Sequence, residues 1–283
     1  MVNVLFCGNE GVYDGFLTST LSILMRTESK EPFHFFIFTM DLTSIDTKYT
    51  ALTSEQVKVY EKMIKSYNPE NSVSVIRVDK YYRKYFAGCP NESAYCSPYT
   101  LIRLFADLIP EIPDKLLYLD ADIFFNRDIH LLYDIDITGY EYAAARDHYG
   151  KYILYPNYIN AGVLLFNMAE ARKTGLFKKA RAWIRKKKLV FADQSALIRS
   201  TTRKKMLKQR FNDQKFLHKW TVIRHFSKRL FYLPYPHTDN IKQWDVKRVH
   251  KIFKYHQFDD IYKEYFRVKK CVIKNTDEVI NND

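Results

Sequence analysis

Residues 115–125 read Lys-Leu-Leu-Tyr-Leu-Asp-Ala-Asp-Ile-Phe-Phe, and the fold turns on them. Four apolar residues, Leu116 to Leu119, run straight into Asp120 and Asp122. An unpaired carboxylate is too costly to leave inside a core. A buried strand must therefore emerge at Asp120, at the carboxyl edge of an open α/β sheet, where ligands bind. In extended backbone Asp120 and Asp122 share a face. Their carboxylates repel unless a cation lies between them, and hard divalent ions accept such oxygens. Mg²⁺ or Mn²⁺ held there would neutralise a departing diphosphate. The competing interpretation is a strand-end turn whose acids face water. Asp128 and Asp134 have no apolar strand ahead of them and read as surface or cap acids. His225 follows the strand-like Trp220-Thr221-Val222-Ile223 and is the candidate third ligand. Imidazole suits Mn²⁺ better than Mg²⁺, although a core or surface histidine would read the same way.

Outward from this stretch the chain alternates. Residues 2–7 (VNVLFC), 33–38 (FHFFIF) and 73–78 (VSVIRV) predict buried strands. Helical rhythm occupies 16–25 and 54–66, the latter with Ser54 as its cap. Strand–helix–strand order with long connections predicts a mostly parallel sheet covered by helices. Beyond it, Pro98 opens a helix over 98–108. Residues 142–145 and 162–166 read as strands, 171–188 as one basic helix, 225–244 as an aromatic-rich loop and 246–266 as helix. A polar, frayed end follows from Lys269.

Composition narrows the class. At 47% hydrophobic and 27% charged residues the chain is globular rather than disordered. The opening MVNVLFCGNE lacks a signal peptide's basic start and apolar run, and no stretch is long and apolar enough to span a membrane. A cytoplasmic enzyme is expected. Cys7, Cys89, Cys96 and Cys271 fit no zinc spacing and read as free thiols. The net charge is +13, and residues 171–210 hold 15 Lys or Arg against the single acid Asp193. That field attracts phosphorylated ligands or anionic lipid. No nucleic-acid-reading motif accompanies it, so no nucleic acid is expected.

These segments resemble the family 8 glycosyltransferases, retaining enzymes with a GT-A fold that include bacterial lipopolysaccharide galactosyl- and glucosyltransferases and the glycogenins. LYLDADIFF (117–125) matches the family's metal-binding DxD strand, and NAGVLLFN (160–167) its sugar-pocket segment. SPYTLIRLF (97–105) resembles the helix before the DxD, and DQSAL (193–197) the DQ motif. Arg224-His225-Phe226 resembles the late motif. Val4 to Asn9 stand where the nucleotide-binding first strand and loop would be. The resemblance spans about residues 2–244.

The resemblance implies Mn²⁺ (or Mg²⁺) on Asp120, Asp122 and His225. It implies donor contacts from Gly8, Asn9, Arg103, Ala121, Asn160, Ala161 and Lys242, with Asn160, Asp193 and Gln194 in the reacting sugar's pocket. The implied reaction moves glucose or galactose from UDP-glucose or UDP-galactose to a glycan or glycolipid, such as a cell-surface lipopolysaccharide, with an α linkage. Residues 1–244 would form the GT-A catalytic domain and 245–283 a basic helical extension able to touch anionic membrane. Asn9 stands where the family often has an acid that contacts uracil. The late motif also departs: Lys242-Gln243-Trp244 arrives after an insertion, which leaves Lys228 and Arg229 as rivals for the diphosphate. Asp213-Gln214 is a second Asp-Gln pair, set aside because Asp193 is the one acid of the basic stretch. Other classes use related parts. A metal-dependent nucleotidyltransferase also sets acids on an α/β sheet, and an inactive sugar-nucleotide-binding protein would keep the pocket. The sparse Gly8, Asn9 and Gly11 loop argues against a dinucleotide oxidoreductase.

Overall fold

The computed structural model describes residues 1–92 and 97–280, and for 271–280 the backbone alone. Cys96 and the Cys271 side chain thus lie outside the described residues, while Cys7 and Cys89 are free thiols. The chain runs β1 (Val2–Cys7), α1 (Tyr13–Arg26), β2 (Phe33–Thr39), α2 (Ser54–Lys65), β3 (Ser72–Arg77), α3 (Asp79–Tyr85), β4 (Lys115–Leu119) and β5 (Ile123–Phe125). It continues through α4 (His130–Tyr133), β6 (Tyr142–Arg146), α5 (Gly150–Ile153), β7 (Ile159–Asn167), α6 (Met168–Thr174), α7 (Leu176–Lys186), α8 (Ala192–Ser200) and β8 (Lys204–Leu207). It closes with β9 (Ile223–His225), β10 (Arg229–Phe231), β11 (His237–Asp239), α9 (Val246–Arg248) and α10 (Asp259–Ile280).

The main sheet has the order β3-β2-β1-β4-β7-β6-β8. Its first four strands are mutually parallel. β7 is antiparallel to both neighbours, and β8 is parallel to β6. The continuous apolar runs of β1 and β2 follow from burial on both faces. One core layer packs α1, α2, β5 and α10 against the sheet, and the other packs α3, residues 101–106, α7 and α8.

Several boundaries differ from those expected, each for a local reason. The stretch 115–125 is not one strand. After Asp120 donates its N–H to the Gly162 carbonyl (2.8 Å) the chain bends, and β5 leaves the main sheet to pair antiparallel with β9. The 98–108 helix is two 3₁₀ segments, Pro98–Thr100 and Ile102–Leu108. An α-helix would send the Leu104 N–H to the Thr100 carbonyl, but Arg103 Nε takes that carbonyl (2.9 Å) and Leu104 bonds Leu101 instead (3.0 Å). Helix α2 is capped by Thr53, not Ser54, through a reciprocal pair with Gln56. The basic helix breaks at Gly175, whose φ of +68° is left-handed and ends α6. The 246–266 helix is interrupted by a π turn over Val249–Phe253 and by Lys254 at φ +57°. From Lys269 the backbone stays helical to Ile280. The 225–244 loop contains the β10–β11 hairpin, whose tip exposes Tyr232, Leu233 and Tyr235.

Phe124 ties the C-terminal helix to the site-bearing bend. Its ring packs against Phe258 (4.8 Å), Tyr262 (5.6 Å) and, edge-on, Phe226 (5.7 Å). Replacing Phe124 with Ala should cost roughly 3–5 kcal/mol. Urea unfolding monitored by fluorescence and by helicity should show one transition shifted as a whole. A shift confined to the helical signal would mean that α10 unfolds separately.

Candidate active site

Where β4 ends, the chain turns away from the main sheet, and this bend is fixed from three sides. Ser19 on α1 donates to the carbonyls of Ala121 (3.0 Å) and Ile123 (2.9 Å). Gln243 Nε2 donates to the Ala121 carbonyl (2.6 Å). The Phe226 N–H donates to the Asp122 carbonyl (2.7 Å). Ala121 is thus held by its backbone. Gly15 on α1 approaches so closely that a Cβ there would lie 2.6 Å from the Ala121 oxygen and 2.7 Å from the Trp244 ring.

The bend aims both carboxylates at β9. Ile123 pairs with His225 across the short sheet, which brings His225 Nε2 to 3.2 Å from Asp122 and 3.9 Å from Asp120. One potential ligand atom from each of Asp120, Asp122 and His225 falls within a 4.8 Å cluster. The carboxylates are compensated separately. Lys242 Nζ pairs with Asp122, and Arg103 Nη2 with Asp120 (3.0 Å), which also accepts from the Tyr118 hydroxyl (2.6 Å). Burial pushes the Asp122 carboxyl up, but Lys242 and then His225 outweigh it and hold it well below the ordinary carboxylate range. Lys242, of the three rival cations, reaches this carboxylate, while Arg229 donates to the Lys215 carbonyl (3.0 Å).

These residues fit a divalent cation. The donor set is two carboxylates and an imidazole. The facing wall is Gly162, where a Cβ would come within 2.4 Å of His225 Cε1 and 2.7 Å of Asp120 Oδ2. Only a residue without a side chain leaves that cradle open.

A second group of predicted residues lies along Arg103. The guanidinium is almost fully buried, stacks on Tyr118 (4.0 Å), donates to the Ala161 carbonyl (2.6 Å) and pairs with Asp193 (3.3 Å). Gln194 Oε1 accepts the Ala161 N–H (2.9 Å). Asp193 follows Ala192, whose φ of +27° is strained for a residue with a side chain. Asn160, at the start of β7, bonds Asp147, Gly162 and Asn212. The other Asp-Gln pair serves the scaffold: Asp213 is fully buried and accepts from His218, Thr221 and Gln209.

Gly8 and Asn9 stand apart, at the carboxyl end of β1. Gly8 is hemmed in by Val12 and Phe16, which a Cβ would strike. The Asn9 amide already donates to the Lys48 carbonyl (3.0 Å). Trp244 packs half-buried against the core. Asp147, Tyr118, Gly162, Asn212 and Gln243 were not singled out as site residues in the sequence. For Asp147 a weaker signal was present: it lies two residues past the apolar Tyr142–Ala145, with Arg146 between, whereas Asp120 follows Leu119 directly.

Burial raises the Asp193 carboxyl from 3.8 to about 6 against the opposing pull of Arg103. The folded chain therefore binds this proton more tightly than the unfolded chain. The stability it contributes is complete below about pH 4 and is lost as the pH rises through about 6. Asp193→Asn removes the titration. Between pH 4 and pH 7 the variant should gain about 1–3 kcal/mol relative to the parent. Thermal unfolding at fixed ionic strength measures this, and a constant gap would overturn it.

Comparison with known proteins bears on the family and the fold. The glycosyl transferase family 8 model matches residues 3–219. Over 111 residues the chain is 32% identical to a protein of Haemophilus influenzae assigned as a glycosyltransferase, covering 36% of this chain and 34% of that protein. It is 38% identical over 74 residues to the glycosyltransferase GlyA of Streptococcus pneumoniae, covering 26% of this chain and 10% of that protein. The chain thus spans a third or less of the curated relatives it matches. The galactosyltransferase LgtC, solved with donor and acceptor sugar analogues, shares the fold with a TM-score of 0.65 at 17% identity, over 92% of this chain and all of that one. The sheet with its flanking helices is therefore of the GT-A type, and the chain belongs to glycosyl transferase family 8.

Proposed function

We propose that this glycosyltransferase moves glucose or galactose from UDP-glucose or UDP-galactose to a glycan or glycolipid, with retention and hence an α linkage. The observation that carries the reading is the convergence of Asp120, Asp122 and His225 on one point, with Lys242 beside it. Asp120, Asp122 and His225 would hold Mn²⁺ or Mg²⁺, which when bound supplies positive charge to a diphosphate. Lys242, already paired with Asp122, is within reach to add its own charge to the leaving group. Arg103 holds Asp120 in place. Asn160, Asp193 and Gln194 would line the sugar pocket, and Gly8 and Asn9 the base and ribose side. Ala121 and Ala161 would contribute through the backbone.

The retaining step is best read as front-face. The acceptor hydroxyl approaches the anomeric carbon from the side of the departing phosphate, whose oxygen takes its proton. Gln194 is a poor nucleophile, and its amide oxygen is already engaged by the Ala161 N–H. Asp193 could accept hydrogen bonds from sugar hydroxyls once ionised. The acceptor would enter over the hairpin tip, where Tyr232 and Tyr235 present exposed rings.

Residues 1–244 form the catalytic unit in this reading and 245–283 its basic extension. No described helix is long and apolar enough to cross a membrane. A cytoplasmic enzyme with salt-sensitive contact to anionic lipid through 171–188, 203–208 and 247–254 fits the charge distribution, and vesicle flotation at low and high salt reads that contact.

Calorimetry tests the metal centre. UDP should bind more tightly with Mn²⁺ than without, and Asp122→Asn should remove most of the difference. Equal affinities in the parent would sink the assignment. The donor and stereochemistry are read together by incubating UDP-, GDP-, ADP- and CMP-sugars with an acceptor and recording the product's anomeric coupling by NMR. Turnover of UDP-hexose to an α-linked product is expected. Preference for another base or a β linkage would overturn it.

A further inference from the structure

We infer that Asp147, Asn160 and Asn212 form a polarity relay that holds a proton on His225 Nδ1 and so leaves Nε2 as the nitrogen that serves Asp120, Asp122 and any cation between them. The inference rests on the metal-centre reading above and adds the residues that orient its imidazole.

The chain of bonds is continuous. Asp147 Oδ2 accepts from Asn160 Nδ2 (2.9 Å). Asn160 Oδ1 accepts from the Gly162 N–H (3.0 Å) and from Asn212 Nδ2 (2.8 Å). Asn212 Oδ1 meets His225 Nδ1 at 2.9 Å. The two asparagines and His225 are buried, so no water competes for these groups.

An ionised carboxylate only accepts hydrogen bonds, so the Asn160 atom facing Asp147 must be the NH₂. The backbone N–H of Gly162 requires an oxygen at the other end of the same amide, which fixes its orientation twice over. That oxygen can only accept, so Asn212 must present its NH₂ to it and its own oxygen to His225. The remaining contact is satisfied only if Nδ1 carries the proton. With Nδ1 committed as a donor, Nε2, 3.2 Å from Asp122, is the nitrogen whose lone pair a cation could take. A metal-binding imidazole needs that lone pair, and a hydrogen bond at the second nitrogen is how proteins fix the tautomer. Asp147 thereby acts on His225 through two intervening side chains.

Asp147 divides its duties between two atoms, which makes the test sharp. Oδ1 accepts the N–H groups of Tyr149 (3.0 Å) and Gly150 (2.6 Å), while Oδ2 alone faces Asn160. Asp147→Asn can keep the turn through Oδ1 and put an NH₂ where the relay starts. Two NH₂ groups then face each other, and the relay reverses or breaks. Adding Asn160→Asp restores the polarity, because the new carboxylate accepts from both asparagine side chains.

The experiment is ¹⁵N NMR of histidine-labelled, metal-free protein at pH 8, paired with calorimetric titration of Mn²⁺ alone. In the parent, His225 should be protonated at Nδ1. In Asp147→Asn the other tautomer should become populated and Mn²⁺ affinity should fall roughly 10-fold to 100-fold. In the double variant both should return toward the parent. A parent protonated at Nε2 with Nδ1 bare overturns the relay at once, with no variant needed. So does a single variant with an unchanged tautomer, or a folded double variant that does not recover. The tautomer is read without metal. A parent that binds no Mn²⁺ would therefore count against the metal reading, while the relay would still be decided by the nitrogen shifts.

Discussion

The mutual repulsion of Asp120 and Asp122 is the constraint around which the active site is arranged. A parallel strand delivers both carboxylates to the end of a core where neither can be left uncompensated. Each receives its own cation from a different part of the chain, Arg103 for Asp120 and Lys242 for Asp122. His225 closes the third side. The backbone of the bend is tied to α1 and to Gln243, which fixes where the two carboxylates leave the chain. Charges and dipoles held by the fold in this way are what electrostatic preorganisation requires.

Arg103 couples this centre to Ala161 and Asp193. One guanidinium bonds Asp120, the Ala161 carbonyl and Asp193. Its position goes together with the 3₁₀ winding of Ile102–Leu108: the Leu104 N–H bonds the Leu101 carbonyl, and Nε takes the Thr100 carbonyl. The departure from α geometry is therefore part of how the site is built. The strained Ala192 plays a similar part at the start of α8, next to Asp193.

Much of this was legible in the sequence because it depends on abrupt local contrasts. Apolar runs ending in acids marked β4 and the carboxylate pair at its end, and alternation of strand and helix patterns marked the sheet. Less legible were features set by contacts distant in sequence. The split of 115–125 into β4 and β5 depends on β9, about a hundred residues later. The 98–108 winding depends on where one arginine side chain turns, and periodicity carries no trace of that. Gly175 could have signalled the break in the basic helix, since glycine so often ends helices in the left-handed conformation.

The contacts made by Lys242 and Gln243 have a consequence for synthesis. They reach back about 120 residues to Asp122 and Ala121. Translation proceeds from the amino terminus, so the sheet strands through β7 leave the ribosome well before this strap does. Until residue 243 has emerged, the Asp122 carboxylate lacks its lysine and the Ala121 carbonyl lacks its glutamine. The nascent chain must pass through an interval in which the sheet can pair while its most charged corner is still open. Contacts this distant in sequence form slowly, so this corner closes only after the strands that carry it are able to pair.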